Sequence, residues 1–134
     1  MLGTLVDSNV IFDILSDDEE WIDWSAAMLA AAANRGPLYI NPIIFAEVSV
    51  RYERVEDVEA ALPDEYFVRA PLPWDAGFLA AKCFASYRKR GGTRRSPLPD
   101  FYIGAHAAVA GLQLLTRDPK RYATYLLGLS LLCP

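Results

Sequence analysis

Four acidic residues stand where a carboxylate could do chemistry. Asp7 lies in Leu-Val-Asp-Ser-Asn-Val and Glu47 in Phe-Ala-Glu-Val, while Asp100 and Asp118 are the only acids after residue 75 and each lies beside a proline. Carboxylates that pack together repel and take up protons unless a cation neutralises them. Hard divalent cations such as Mg²⁺ and Mn²⁺ prefer oxygen ligands, and they activate water and stabilise charge on a phosphate. The four acids therefore predict a divalent-cation site for phosphodiester chemistry.

The elements that position these acids are short apolar strands alternating with helices. Strands are predicted at residues 2–6, 38–40, 67–69, 112–115 and 129–132, and helices at 9–15, 21–34, 42–54, 55–62, 74–90, 100–109 and 120–125. This alternation indicates a three-layer α/β/α sandwich around a parallel sheet of about five strands. Ligands bind such sheets beyond the carboxyl ends of the strands, where Asp7 and Asp118 would lie and where Glu47 follows on the next helix.

Each acid also has an ordinary structural interpretation. Asp7 and Asp100 could cap the helices that follow them, and Asp118 could be a turn residue before Pro119. Glu47 could pair with Arg51 one helical turn later. These interpretations explain the acids one at a time, and they explain less easily why all four come at strand ends of one sheet.

Two polar residues near the acids are candidates to orient a ligand or a water molecule. Asn9 follows Asp7 by two residues, and Thr116 precedes Asp118 by two. Groups that hydrogen-bond to metal ligands fix the orientation of those ligands. A helix cap at Asn9 and a strand-end hydroxyl at Thr116 are equally ordinary interpretations.

The only histidine, His106, does not suggest a catalytic base. It lies six residues after Asp100 on the same predicted helix, well round from it, and it is interpreted as a hydrogen-bonded core residue. Without a Ser-His or Cys-His pair, nucleophilic catalysis has no candidate. A single histidine and two isolated cysteines do not supply the nitrogen and sulfur ligands of a zinc site, which favours Mg²⁺ or Mn²⁺.

Length and composition indicate one globular domain over residues 1–134. Hydrophobic residues make up 53% of the chain and charged residues 22%, enough apolar surface for a full core. The apolar runs are too short for a membrane span, and the N-terminus lacks the pattern of a secretory signal. With Cys83 and Cys133 far apart, the expectation is a cytoplasmic protein with reduced thiols and no membrane association.

Charge is distributed unevenly along the chain. The net charge is −4, but residues 1–75 hold fifteen acids and four bases, whereas residues 76–134 hold two acids and nine bases. Phosphate binding is predicted for a basic stretch, Arg88, Lys89, Arg90, Arg94 and Arg95, with a second arm at Arg117, Lys120 and Arg121. Tyr87 and Phe101 flank the first stretch and could stack on unpaired bases. The alternative is an ordinary solvated loop.

The order of the four acidic motifs resembles the PIN domain, most closely the toxin ribonucleases of the VapC type. The resemblance covers residues 2–132. The matching motifs, in chain order, are Asp7-Ser8-Asn9-Val10, Glu47 in Asn-Pro-Ile-Ile-Phe-Ala-Glu-Val, Asp100 in Asp-Phe-Tyr-Ile-Gly-Ala-His-Ala, and Thr116-Arg117-Asp118. Phe101 and Tyr102 stand where smaller aliphatic residues are common in the family. This departure concerns packing and leaves the acid itself intact.

The resemblance implies more than the residues themselves do. It implies a Mg²⁺- or Mn²⁺-dependent endoribonuclease, the toxin of a toxin–antitoxin pair, that cleaves RNA of the translation machinery such as tRNA. The expected partners are the RNA substrate, a small cognate antitoxin and a second copy of the chain. A PIN scaffold that binds protein or RNA without cleavage is the alternative. A haloacid-dehalogenase-like phosphatase fits less well, because Asn9 stands where its second acid would be and a suitable lysine before the final acid is missing. The acid pair, phospho-acceptor and late lysine of a response-regulator receiver cannot be placed in this sequence.

Overall fold

The computed structural model describes residues 2–134. They contain one five-stranded parallel sheet and the helices that connect its strands. The strands are short, and they lie in the order β3-β2-β1-β4-β5. Their bounds are β1 Thr4–Val6, β2 Leu38–Ile40, β3 Phe67–Arg69, β4 Gln113–Leu115 and β5 Leu131–Leu132. The predicted parallel sheet of about five strands is confirmed.

Seven helices connect these strands. They are α1 Ser8–Leu15, α2 Ile22–Arg35, α3 Pro42–Ser49, α4 Val55–Ala61, α5 Trp74–Lys89, α6 Pro99–Ala110 and α7 Lys120–Tyr125. Connections between parallel strands are right-handed, so the side of the sheet on which a connecting helix lies depends on the direction in which the next strand is added. This direction reverses after β3, so α1 to α4 cover one face and α5 to α7 the other. This is the α/β/α sandwich that the alternation predicted.

Most observed element boundaries lie within two residues of the prediction, and the end of α3 and the start of β5 have identifiable causes. The third helix ends at Ser49 and not near residue 54, because the backbone N–H groups of Arg51 and Tyr52 bond to carbonyls three residues back and close a tight turn. The fifth strand is only Leu131–Leu132, because the Leu129 N–H still bonds back to the Leu126 carbonyl in the turn at Gly128, whose φ of 89° is in the left-handed region.

The core is apolar and continuous through the sheet. The central strands contribute Leu5, Val6, Leu114 and Leu115, each with no exposed surface. Short strands buried on both faces need apolar side chains on both sides, which explains their continuous hydrophobic runs. Within residues 2–134, no helix combines the length and the apolar character needed to cross a bilayer.

The carboxyl ends of β1 and β4 form the switch point of the sheet. These neighbouring strands continue to opposite sides, β1 towards β2 and β4 towards β5. The Asp7 N–H donates to the Leu115 carbonyl at 2.9 Å, so the residues that follow the two strands start side by side. A crevice forms at such a point because the connections diverge. Asp7 and Thr116 are the first residues on either side of it.

Candidate active site

Asp7 is both the cap of α1 and the centre of a polar cluster. Its Oδ1 accepts a hydrogen bond from the Ser8 backbone at 2.8 Å, which confirms the capping interpretation. Its Oδ2 accepts from the Thr116 hydroxyl at 2.9 Å and from the Tyr122 hydroxyl at 2.8 Å. Only 4% of Asp7 is exposed. Capping of α1 uses only Oδ1 of Asp7, so it does not account for the two hydroxyl groups that donate to Oδ2.

Asp100 shares the Tyr122 hydroxyl with Asp7. The Tyr122 oxygen lies 3.4 Å from Asp100 Oδ1, and Arg121 donates to Asp100 Oδ2 from Nη1 at 3.0 Å. The helix that carries Asp100 begins one residue earlier than predicted, at Pro99, and its N-cap is Leu98. The capping interpretation of Asp100 is therefore wrong, and its carboxylate faces the cluster.

Glu47 approaches the cluster from α3. Its Oε1 accepts a hydrogen bond from the Ser8 hydroxyl at 2.9 Å. Arg51, its alternative partner, places its guanidinium 4.1 Å from the centre of the Phe12 ring. The side chain of Glu47 is thus oriented by the residue next to Asp7.

Electrostatics couples three of the four acids. Burial raises the pKa of Asp7, and the charge of Asp100 raises it further, while hydrogen bonds from Tyr122, Thr116 and Ser8 partly oppose the shift. Burial also raises the pKa of Glu47; the Ser8 hydrogen bond opposes this, and the charges of Asp7 and Asp100 add to it. Mutual repulsion between carboxylates is what a bound cation would relieve.

Asp118 stands apart from the other acids at the rim of a cleft. Its side chain is exposed, and its backbone N–H donates to the Thr116 hydroxyl oxygen at 3.1 Å. The cleft measures about 410 Å³ and is lined by Tyr87, Asp100, Asp118, Lys120, Arg121, Thr124 and Tyr125. Asp118 and Asp100 therefore face the same solvent-filled space.

Asn9 and Thr116 link the two sides of the crevice. The Asn9 amide donates to the Thr116 hydroxyl oxygen at 3.2 Å, and its carbonyl accepts from the Arg117 backbone at 3.1 Å. The Thr116 hydroxyl donates its hydrogen bond to Asp7 and accepts one from the Asp118 backbone N–H, so it connects the two residues. The predicted orienting role of both residues stays a prediction, and these contacts support it.

Sequence reasoning missed the side-chain contacts that the acids make with Tyr122 and Arg121 on α7 and with Ser8 on α1. Tyr122 is 1% exposed, and burial together with the charges of Asp7 and Asp100 raises its pKa well above the ordinary value. It follows Asp118 by four residues on a six-residue helix, and a lone tyrosine there gave no signal. Ser8 stood within the first motif, but its hydroxyl was not singled out. Arg121, predicted to bind phosphate, pairs with Asp100 in this structure, and its phosphate role stays a prediction.

Arg117 also differs from its predicted role. Its guanidinium pairs with Asp13, a residue of α1 that is 2% exposed, and Asp13 accepts a further hydrogen bond from the Ser25 hydroxyl at 2.7 Å. The guanidinium carbon lies 5.2 Å from the Trp21 ring centre. These contacts commit Arg117 to holding the loop after β4 against α1 and α2, and the prediction that it belongs to a phosphate-binding arm is wrong.

The basic stretch begins in the last turn of α5, and the loop that follows folds back on this helix. Arg88 donates to the Arg94 carbonyl at 2.7 Å, and the Tyr87 hydroxyl accepts from the Thr93 and Arg94 backbone N–H groups. The Arg90 guanidinium lies 5.3 Å from the Tyr125 ring centre. All five basic residues are exposed, namely Arg88, Lys89, Arg90, Arg94 and Arg95. Their part in RNA binding stays a prediction.

The two aromatic residues that flank this stretch differ in burial. Phe101 is 1% exposed, and its ring contacts Tyr87 and Tyr125 edge to face. A buried ring cannot stack on an RNA base, so the stacking role predicted for Phe101 is wrong. Tyr87 is half-buried and lines the cleft, where part of its ring remains accessible.

His106 lies in the core, as predicted. It is 2% exposed, and its Nδ1 is 2.9 Å from the Asn41 amide nitrogen. Because the Asn41 carbonyl accepts from the Ile44 backbone, the Asn41 amide group donates to His106. Burial lowers the pKa of His106, which keeps the ring neutral. The ring is therefore a structural acceptor.

The donor chemistry of the cluster fits a hard divalent cation, although the geometry is not a closed cage. Asp7 and Asp100 converge on one hydroxyl, and their charges reach Glu47. Carboxylate oxygens are the ligands that Mg²⁺ and Mn²⁺ prefer. Within residues 2–134, no three acidic, histidine or cysteine side chains lie close enough together to hold a metal ion as they stand. Hydrogen bonds from Tyr122, Thr116 and Arg121 occupy the carboxylates instead.

Comparisons with known structures agree with this architecture. Chains from the VapBC2 complex of Rickettsia felis bound to promoter DNA (16% identity, TM-score 0.74, 99% of each chain covered) and from VapBC-1 of nontypeable Haemophilus influenzae (16%, 0.74, 98% of each) share the fold. A toxin–antitoxin complex from Klebsiella pneumoniae contains a chain at 25% identity, with a TM-score of 0.67 and 94% of each chain covered. No curated protein matches the sequence significantly.

The family assignment rests on the sequence itself. The family model of the PIN domain matches residues 4–125, which include every strand but the last and all four acids. The match spans the crevice between β1 and β4 and the helices that carry Glu47, Asp100 and Tyr122. This chain belongs to the PIN-domain family.

Proposed function

We propose that this PIN domain is a Mg²⁺- or Mn²⁺-dependent endoribonuclease, and that it is the toxin of a toxin–antitoxin pair that cleaves RNA of the translation machinery, with tRNA as the first candidate. PIN domains are a family of nucleases, which supports a hydrolase at the coarse level. The observation that carries the proposal is the convergence of Asp7 and Asp100 on the Tyr122 hydroxyl, with the charge of Glu47 added from α3.

The residues that would hold the cation are Asp7 and Asp100, with Glu47 beside them and Asp118 at the rim of the cleft. A bound Mg²⁺ or Mn²⁺ would supply an activated water and positive charge for the phosphate. The Thr116 hydroxyl holds Asp7 in orientation, and the Ser8 hydroxyl does the same for Glu47. The open cleft beside Asp100 and Asp118 gives an RNA phosphate access to the acids.

A small antitoxin and a second copy of the chain are the proposed protein partners, and the cytoplasm is the proposed location. The support is the likeness to chains of VapBC complexes, one of which is described as bound to a DNA fragment from its promoter and another as DNA-bound. Co-expression with the neighbouring open reading frame, followed by light scattering, measures both associations. A strict monomer at high micromolar concentration that ignores its genetic neighbour would contradict this part of the proposal.

A binding scaffold without cleavage is the second candidate. The observation in its favour is that Arg121 and Tyr122 occupy Asp100, so the acids do not form a finished cation cage. Cleavage separates the two candidates. Purified protein is incubated with total tRNA in Mn²⁺, in Mg²⁺ and in EDTA, and the new ends are sequenced.

The nuclease predicts metal-dependent products with 5′-phosphate and 3′-hydroxyl ends, and it predicts their loss in Asp100→Asn. The matched control is Glu53→Gln, which neutralises an exposed acid outside the cluster. Cleavage that persists in EDTA and leaves a cyclic phosphate would overturn the mechanism. Absence of cleavage in every metal, with RNA still bound, would favour the scaffold.

A further inference from the structure

The ion pair between Arg121 and Asp100 lies at the centre of the proposed site. Arg121 Nη1 is 3.0 Å from Asp100 Oδ2, while the other oxygen of Asp100 faces the Tyr122 hydroxyl at 3.4 Å. Because the single Tyr122 hydroxyl proton is donated to Asp7 at 2.8 Å, Arg121 is the main partner of the Asp100 carboxylate. The cation that Asp100 binds in this structure is a guanidinium supplied by the same chain.

This ion pair can open at little cost. The side chains of Arg121 and Asp100 are 43% and 33% exposed, and exposed ion pairs contribute little to stability because water screens them and side-chain freedom is lost on pairing. Arg117, four residues earlier, shows the contrast: it pairs with a carboxylate that is 2% exposed and it stacks on Trp21. Of these two arginines near the acids, Arg121 is the one that can move.

A divalent cation and the guanidinium cannot comfortably share Asp100. Both are positive, and like charges on one carboxylate repel. When a divalent cation takes Asp100, Arg121 is released into the cleft that its side chain already lines together with Asp118 and Lys120. A guanidinium freed there has the planar donor geometry that binds phosphate oxygens.

We propose that Arg121 is an exchangeable counter-ion of Asp100, which occupies the carboxylate when no divalent cation is bound and turns to the RNA phosphate when one binds. The inference rests on the proposed function, because it assumes that Asp100 is a cation ligand. It makes Arg121 a regulator of the site: it opposes entry of the metal alone and favours the metal together with RNA.

The first test measures Mn²⁺ alone by isothermal titration calorimetry. In Arg121→Gln the competing charge is gone, so Mn²⁺ should bind about fivefold more tightly, the factor that corresponds to about 1 kcal/mol for an exposed ion pair. The matched control is Lys120→Gln, which removes one positive charge from the same cleft. Within residues 2–134, Asp100 forms its ion pair with Arg121 and not with Lys120. The Mn²⁺ affinity of Lys120→Gln should change by clearly less.

The second test measures binding of a labelled single-stranded oligoribonucleotide by anisotropy, with Ca²⁺ to suppress turnover and again in EDTA. Arg121→Gln should weaken binding about threefold or more with Ca²⁺ and flatten the plot of log affinity against log salt by about 0.7. In EDTA it should have almost no effect, because Arg121 is then held by Asp100. Lys120→Gln should act equally in both conditions.

The outcomes separate this inference from the proposed function. If Mn²⁺ fails to bind the unaltered protein, both are overturned. If Mn²⁺ binds and Asp100→Asn abolishes binding, while Arg121→Gln matches Lys120→Gln, only the counter-ion role is overturned. A loss of RNA affinity in Arg121→Gln that is the same with Ca²⁺ and with EDTA also overturns it. A melting temperature close to that of the unaltered protein verifies that each variant is folded.

Discussion

Arg117 binds Asp13 through two guanidinium nitrogens: Nε lies 2.9 Å from Oδ2, and Nη2 lies 3.1 Å from Oδ1. Its backbone N–H donates to Asn9, one turn earlier on α1. Two residues of one helix face therefore hold the loop that carries Thr116 and Asp118. The ion pair determines where that loop lies relative to Asp7.

The first prediction concerns this pair. Arg117→Met leaves the Asp13 carboxylate buried without its cation, so the free energy of unfolding should fall by about 3 kcal/mol, the lower end for broken buried pairs because Arg117 is partly exposed. Urea denaturation measures the change. Lys120→Met is the control, since it removes an exposed lysine nearby and should cost under about 0.5 kcal/mol. Equal losses in the two variants would show that the pair contributes nothing special.

The second prediction concerns the acids. Asp100→Asn should reduce cleavage by more than about a hundredfold, because loss of even an indirect partner of a metal ligand costs 10- to 100-fold. Its melting temperature in EDTA should stay the same or rise, since one charge leaves a repelling cluster. Asp7→Asn should be inactive and also less stable, because an amide cannot accept from Ser8, Thr116 and Tyr122 at once. Full activity in Asp100→Asn would remove it from the site.

The fold and the location of the site could be predicted because they depend on local patterns. Apolar runs of three to five residues between helices define the strands, and residues that follow the neighbouring strands β1 and β4 lie at one edge of a parallel sheet. Asp7 follows β1 directly, whereas Asp118 comes three residues after β4 and lies at the rim of the cleft. Helix ends were less predictable. The stop of α3 at Ser49 depends on a backbone turn and not on a proline or glycine.

The partners of the acids could not be predicted, because those contacts join residues far apart in the chain. Tyr122 reaches Asp7 across 115 positions, and Arg117 reaches Asp13 across 104. A sequence shows that Arg117 and Arg121 are cations beside Asp118, but not that one turns to a buried carboxylate and the other to Asp100. That choice is made by the packing of α7 against α6 and of the loop against α1.

The third prediction follows from the raised pKa of Glu47. A carboxyl group whose pKa is higher in the folded than in the unfolded protein binds more protons when folded, so stability is lost as pH rises from the ordinary value of 4.5 through the raised one. Glu47→Gln removes this term and keeps an oxygen for the Ser8 hydroxyl. In EDTA, the variant should therefore gain stability over the unaltered protein as pH rises from 4 to 7. A difference that is constant with pH would contradict the shift.

The fourth prediction concerns His106. Because Asn41 donates to Nδ1, the proton of the neutral ring must be on Nε2, and burial should keep the pKa below 6.5. Nitrogen-15 NMR of the histidine ring reports both properties over a pH titration. No substitution is needed to assign the histidine signals, since the protein contains one histidine. An Nδ1–H tautomer would mean that the Asn41 amide is oriented the other way.

The last prediction concerns how an acidic protein holds RNA. Its net charge is −4, so attraction must come from local charge in the basic C-terminal part. The basic residues differ in their side-chain contacts: Arg88 bonds to the loop backbone and Arg90 lies over the Tyr125 ring, whereas the side chains of Arg94 and Arg95 make no hydrogen bond or ion pair within residues 2–134. These two arginines are the best candidates for phosphate contacts.

Arg94→Ala combined with Arg95→Ala should weaken RNA binding in Ca²⁺ and flatten the log–log salt plot by about 0.7 for each lost contact. The fold should survive, because the hydrogen bonds that hold the loop use backbone groups of Arg94 and Thr93 together with Tyr87 and Arg88. Arg35→Ala is the control: it removes an exposed arginine at the end of α2, near the amino edge of the sheet and away from the acids. If the double variant and the control give the same affinity and slope as the unaltered protein, the loop is a solvated connection, and RNA reaches the acids through the Lys120 side of the cleft.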